Sequence, residues 1–179
     1  FFFFSSEAPP LLYYSHIPTA IIALLIGAFV YLNNRGMLAA RLLFLISIAF
    51  LFWVLCDLVT WVSNKSDIIF FVWSFFGILY ALISLLSVYF VFAFLDKGDV
   101  SWRVKSALGI LFLPIVLLTP TAYNLATFSL VDCGIPNEGF YFTNYYYLVG
   151  FIAFFWIMFL IFSRVRQVKL PRDMRKQTL

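Results

Sequence analysis

The feature that most constrains this chain is its succession of long, uninterrupted apolar runs. Crossing the hydrocarbon core of a bilayer takes roughly 20 mainly apolar residues in a helix. Five stretches reach or approach that length, at about 17–32, 38–62, 68–95, 104–122 and 145–162. None alternates apolar and polar residues in the two-residue rhythm of a membrane barrel strand. A helix, by contrast, pairs its own backbone groups where no water is available to do so. The expected fold is therefore all-α, a polytopic membrane helix bundle of about five transmembrane helices over 17–163. An N-terminal arm (1–16) and a basic tail (164–179) flank it.

Composition excludes a water-facing alternative. Apolar residues make up 64% of the chain and charged residues only 11%, against roughly 25% charged in a soluble domain. The 24 phenylalanines exceed what a core of this size could hide. The partner implied for most of this surface is the lipid bilayer.

The charges then give an orientation. Arg35 and Arg41 flank the first loop, and Lys97, Arg103 and Lys105 the third. Arg164, Arg166, Lys169, Arg172, Arg175 and Lys176 mark the tail. Eleven of the twelve basic residues thus fall on one side, and only Lys65 on the other. This bias predicts those loops and the tail in the cytoplasm and the N-terminus outside, which requires an odd number of spans. They form no nucleic-acid stripe, so no nucleic-acid partner is expected. Tyr13, Tyr14 and the Tyr145–Tyr147 cluster fall where aromatic rings anchor a helix at an interface.

Asp57 is the most informative single residue. It stands about six residues inside the second run, roughly 9 Å deep at 1.5 Å per residue. A carboxylate at that depth must face the bundle or a wet cavity. Trp53, Asp57 and Trp61 recur at intervals of four and share one helix face. Two readings stand: a ligand, cation or proton site, or a hydrogen-bonded Asp that fixes packing. Counting inward from the outer ends places Ser74, Pro114 and Gly150 at the same depth, and Ser74 joins the candidate set. Gly77, Ala81 and Ser84 continue from Ser74 along one face, as close helix packing in lipid requires. Pro114 removes a backbone donor and marks a kink. His16, the only histidine, falls just before the first run, where a solvated interfacial residue is expected, with a pH-sensitive contact to the outer loop as the alternative. The fourth loop (124–144) is the longest and faces outside, with Asp132, Cys133 and Glu138 as candidates for an external contact. Cys133 and Cys56 have neither disulfide-framework nor zinc spacing, so both are expected unpaired.

No catalytic residue is expected, because no metalloprotease, hydrolase, nucleotide-binding or kinase motif is present. The residue pattern suggests no metal or cofactor either. The stretch FWVLCDLVTWVSNKSDIIFFVWSFFGILYALISLLSVYFVFAFL (52–95) resembles the second and third helices of a known bacterial module, the seven-helix membrane sensor region at the N-terminus of certain histidine kinases. LGILFLPIVLLTPTAYN (108–124) resembles its fourth helix and YYYLVGFIAFFWIMFLIF (145–162) its fifth. The resemblance implies a sensory input module in the bacterial inner membrane, present as a five-helix relative or a fragment of a longer chain. It transfers no catalytic residue. Two other readings remain beside it: a small transporter or channel subunit using Asp57, and an assembly or scaffold protein binding a membrane partner or its own copies through the small-residue face.

Overall fold

The computed structural model describes residues 10–63, 65–128 and 136–167. Asp132 and Cys133 lie outside the described residues, as does the tail from 168 onward. Six helices and one small β-ribbon follow in order: α1 (Pro10–Asn33), α2 (Leu38–Val62), α3 (Ser66–Trp73), α4 (Phe76–Asp96), α5 (Trp102–Leu118), β1 (Leu125–Phe128), β2 (Pro136–Glu138) and α6 (Phe140–Gln167).

Among the described residues, four helical stretches are long and apolar enough to cross a membrane: Leu11–Asn33, Leu38–Val62, Ser66–Asp96 and Phe140–Arg164. Each is apolar around its whole circumference, which suits either a deep core or a lipid surround. Burial decides between them. Only 11–28% of the most apolar window of each stretch is buried within the protein. Phe29, Phe71, Phe94, Phe151 and Phe159 all point outward. An apolar surface of this extent is consistent with a multi-pass membrane protein. The 17-residue α5 is shorter than these four and opens with Arg103 and Lys105 near its start.

The helices pack in the spatial order α1–α2–α4–α6, with α5 against α4 and α6; α2 runs antiparallel to both α1 and α4, while α6 runs parallel to α4. The largest core joins α4, α5 and α6 through Ala81, Leu85, Val88, Ile115, Phe142 and Val149. The small-residue face on α4 divides. Ala81 is fully buried in this core, and Gly77 gives way to the Phe142 ring, which a Cβ would approach to 2.7 Å. Ser84 turns its hydroxyl to the Tyr80 carbonyl one turn back, at 2.8 Å.

Three boundaries depart from the sequence expectation. First, α1 starts at Pro10, so 10–16 is helix rather than an arm. Pro suits such a start because the first N–H has no partner in any case. Second, the stretch at 68–95 is not one helix. It breaks at Ser74 and Phe75, where the Phe75 N–H bonds the Val72 carbonyl at 3.1 Å instead of one residue further back. The break frees the Ser74 carbonyl, and the Asn124 side-chain amide donates to it and to the Thr119 carbonyl, each at 3.0 Å. One side chain thus ties the break to the end of α5. Third, the loop at 124–144 holds an antiparallel ribbon pairing Leu125 with Glu138 and the first turn of α6. This ribbon is the one departure from an all-α fold among the described residues. Pro136 opens β2, where its missing donor costs no ladder bond.

Candidate functional site

The end of the bundle that carries the ribbon also carries the polar groups. Asp57, near the end of α2, meets His16 in the second turn of α1, with Nε2 to Oδ2 at 3.0 Å. Both side chains are mostly buried, at 24% and 22% exposure. A carboxylate withdrawn this far from water needs a partner, and His16 provides it. The other ring nitrogen, Nδ1, faces the Ser15 hydroxyl at 2.9 Å. The expectation of a solvated His16 is thereby corrected. The early start of α1 places the ring inside a helix, one face of which packs on α2. Trp61, one turn beyond Asp57, keeps its ring half exposed.

Asp57 and Trp53 line a cavity of about 340 Å³. A second carboxylate, Glu138, lines the same space from the end of β2. Aromatic rings supply the rest of the wall: Trp73 from α3, Phe76 and Tyr80 from α4, Tyr146 and Tyr147 from α6.

Glu138 is held from three directions. The Trp73 indole N–H donates to Oε1 at 2.6 Å. The Thr143 hydroxyl donates to Oε2 at 2.9 Å and the Tyr146 hydroxyl at 3.0 Å. All three partners are neutral donors, the surroundings that suit a carboxylate acting purely as acceptor. Gly139 makes this position reachable. Its N–H bonds the Asn124 carbonyl at 2.7 Å, and a Cβ there would fall 1.7 Å from the Tyr123 carbonyl oxygen. Only glycine lets the chain pass that close before α6 begins.

The rings brace one another. Tyr80 lies edge-on to both Tyr146 and Tyr147, with centroids 5.6 Å apart in each case. Trp53 and Trp73 both meet the Phe76 ring edge-on, at 6.1 and 5.4 Å. Such edge-to-face contacts favour the observed ring orientation by about 0.5–1.5 kcal/mol beyond the area they bury.

The remaining candidates stand elsewhere. Ser74 lines a separate cavity of about 510 Å³ with Phe71, Thr119 and Leu125. Pro114 lines a third, with Tyr141 and Tyr145. Pro114 cannot donate to the Ile110 carbonyl, and the neighbouring Leu111 carbonyl receives the Tyr145 hydroxyl at 3.1 Å. Cys56 carries a free thiol. Among the described residues, no three His, Cys, Asp or Glu side chains gather as a metal ion would require.

Glu138 was visible in the sequence only as a loop acid, with nothing to join it to Asp57. Trp73 and Tyr146 were not legible as site residues, and His16 read mainly as a solvated residue outside the first span. The triple tyrosine read as an interfacial anchor. The chain matches no protein-family model, no curated protein and no solved structure.

Proposed function

We propose that the chain is a membrane-embedded input module of a signalling protein, of the kind its resemblance to histidine-kinase sensor regions implies. The proposal takes α5 as a fifth span, places the ribbon and the N-terminus outside, and places the tail in the cytoplasm of a bacterial inner membrane. At 17 residues, α5 sits at the short end of what a span needs, and the eleven basic residues on one side support the orientation.

The observation that carries this reading is the cavity between Asp57 and Glu138, built from four helices and the ribbon. A small external molecule entering it touches α2, α3, α4 and α6 together. α6 is one continuous helix. It presents Thr143 and Tyr146 to Glu138 at one end, and at the other Arg164 pairs with Asp96 of α4. A shift of α6 against α4 at the cavity therefore reaches the base of the tail. Such a device needs two packings of similar energy and a ligand that prefers one of them.

A transporter is the weaker reading. Transport needs a polar path to the far side, and the interior next to the cavity is filled by Ala81, Leu85, Val88, Val149 and Ala153. A scaffold role, through copies of itself or another membrane protein, lacks a comparable observation.

The test is amide hydrogen exchange of the protein in lipid nanodiscs, comparing the native chain with Glu138→Gln. The input-module reading expects changed protection around Asp96 and Arg164, at the end remote from the substitution. Changes confined to the ribbon and the first turns of α6 would refute long-range coupling. Uptake of small ions into sealed vesicles would favour the transporter.

A further inference from the structure

We propose that the cavity is a receptor site for a small organic ammonium ion, with Glu138 as its counter-ion. The proposal deepens the input-module reading and rests on it only for the consequence of binding, not for binding itself.

Three observations converge. Among the described residues, Glu138 has no Lys, Arg or His within ion-pair distance. Neutral donors hold it in place, so its charge is oriented but not cancelled. Asp57, on the opposite wall, meets His16 Nε2 at 3.0 Å. Among the described residues, the space is thus lined by two carboxyl groups and by no Lys or Arg.

The wall chemistry narrows the class of ligand. Trp53, Trp73, Tyr80, Tyr146 and Tyr147 surround the cavity, and aromatic faces attract cations through their quadrupoles, indole most strongly. A bare metal ion finds too few oxygens here, since hard cations take six or more. An anion would face two carboxylates. A neutral apolar molecule would gain the rings but nothing from Glu138. An alkylammonium ion uses both features, its methyl or methylene groups against the rings and its charge toward the carboxylate. The volume of about 340 Å³ is at the small end of ligand pockets, which favours a compact headgroup over a bulky molecule.

The experiment uses the native chain in detergent micelles and reads tryptophan fluorescence, since Trp53 and Trp73 both line the site. Choline and tetramethylammonium are titrated against 3,3-dimethylbutan-1-ol, a neutral molecule of nearly the same shape as choline. The expected result is a saturable change with both cations and, for the alcohol, at least about tenfold weaker binding. Glu138→Gln should bring choline down to the alcohol's level, with the helical circular dichroism unchanged. Equal binding of choline and the alcohol would overturn the proposal, because charge would then play no part. So would no saturation with either cation, or an unaltered affinity in Glu138→Gln. Comparison of choline with the alcohol needs no variant, so a poorly folding Glu138→Gln leaves the test intact. Binding that saturates while protection near Arg164 stays unchanged would refute the signalling role and leave the site standing.

Discussion

Gly77 and Gly150 both lie where α4 meets α6, yet their neighbours differ in freedom. A Cβ at Gly77 would meet the Phe142 ring at 2.7 Å, and Phe142 is only 1% exposed. A Cβ at Gly150 would meet the phenol end of Tyr80 at 2.4 Å, but Tyr80 is 36% exposed and has room to swing. Overpacking a closed core costs about 1–3 kcal/mol. Gly77→Ala should therefore lower thermal stability in detergent by that amount, and Gly150→Ala by clearly less. The reverse order would mean that the α4–α6 contact is not as described. At the other end of the bundle, Asp99 accepts hydrogen bonds from Lys105 at 2.5 Å and Tyr89 at 2.6 Å. These two bonds hold its carboxyl below the usual carboxylate range. A group with a lowered folded-state value stabilises above its unfolded value, near 3.9, and loses that contribution as pH falls through the folded value. Acid melts of Asp99→Asn should thus be flatter than native below about pH 4 and parallel above it. The carboxyl is solvent-exposed, so the effect is small.

Among the elements, the apolar runs were legible because a run is a property of consecutive residues. The bounds of α2 follow from them, whereas α6 runs five residues beyond the expected 145–162 at each end. What the sequence hid depends on contacts between distant residues. The α3–α4 break has no Pro or Gly at Ser74 or Phe75. It persists because Asn124, fifty residues on, accommodates the freed carbonyl. Replacing Asn124 by Ala strips donors from two carbonyls, and leaving a buried acceptor unpaired costs about 1–3 kcal/mol. A loss of that size in the thermal midpoint, with faster amide exchange across 72–78, is the expected outcome. The α1–α2 clasp is similar. Asp57 announced itself as an acid in an apolar run, but its partner was concealed by where the first helix was expected to begin. His16→Ala should destabilise by about 1–3 kcal/mol. The double variant with Asp57→Asn should cost less than the sum of the two single changes, since the pair acts as one unit. Strict additivity in that cycle would show that the two side chains do not interact.

Across the whole molecule, polarity is sorted to the two ends. One end gathers Asp57, His16 and Glu138 around an aromatic cavity. The other gathers Asp96, Asp99, Lys105 and Arg164 in ion pairs at the mouth of the tail. Between them lies a closed apolar core. This division suits the input module proposed above, since the single helix α6 spans the whole distance between the two ends. The account stands on which end faces which side of the membrane, and labelling by a membrane-impermeant maleimide measures that directly. In a background with Cys56 and Cys133 replaced by Ser, Asn137→Cys in the ribbon and Gly98→Cys between α4 and α5 report on the two ends. The account predicts that Asn137→Cys reacts in intact cells and that Gly98→Cys reacts only after the membrane is opened. The opposite pattern, or reaction of both positions in intact cells, would contradict it.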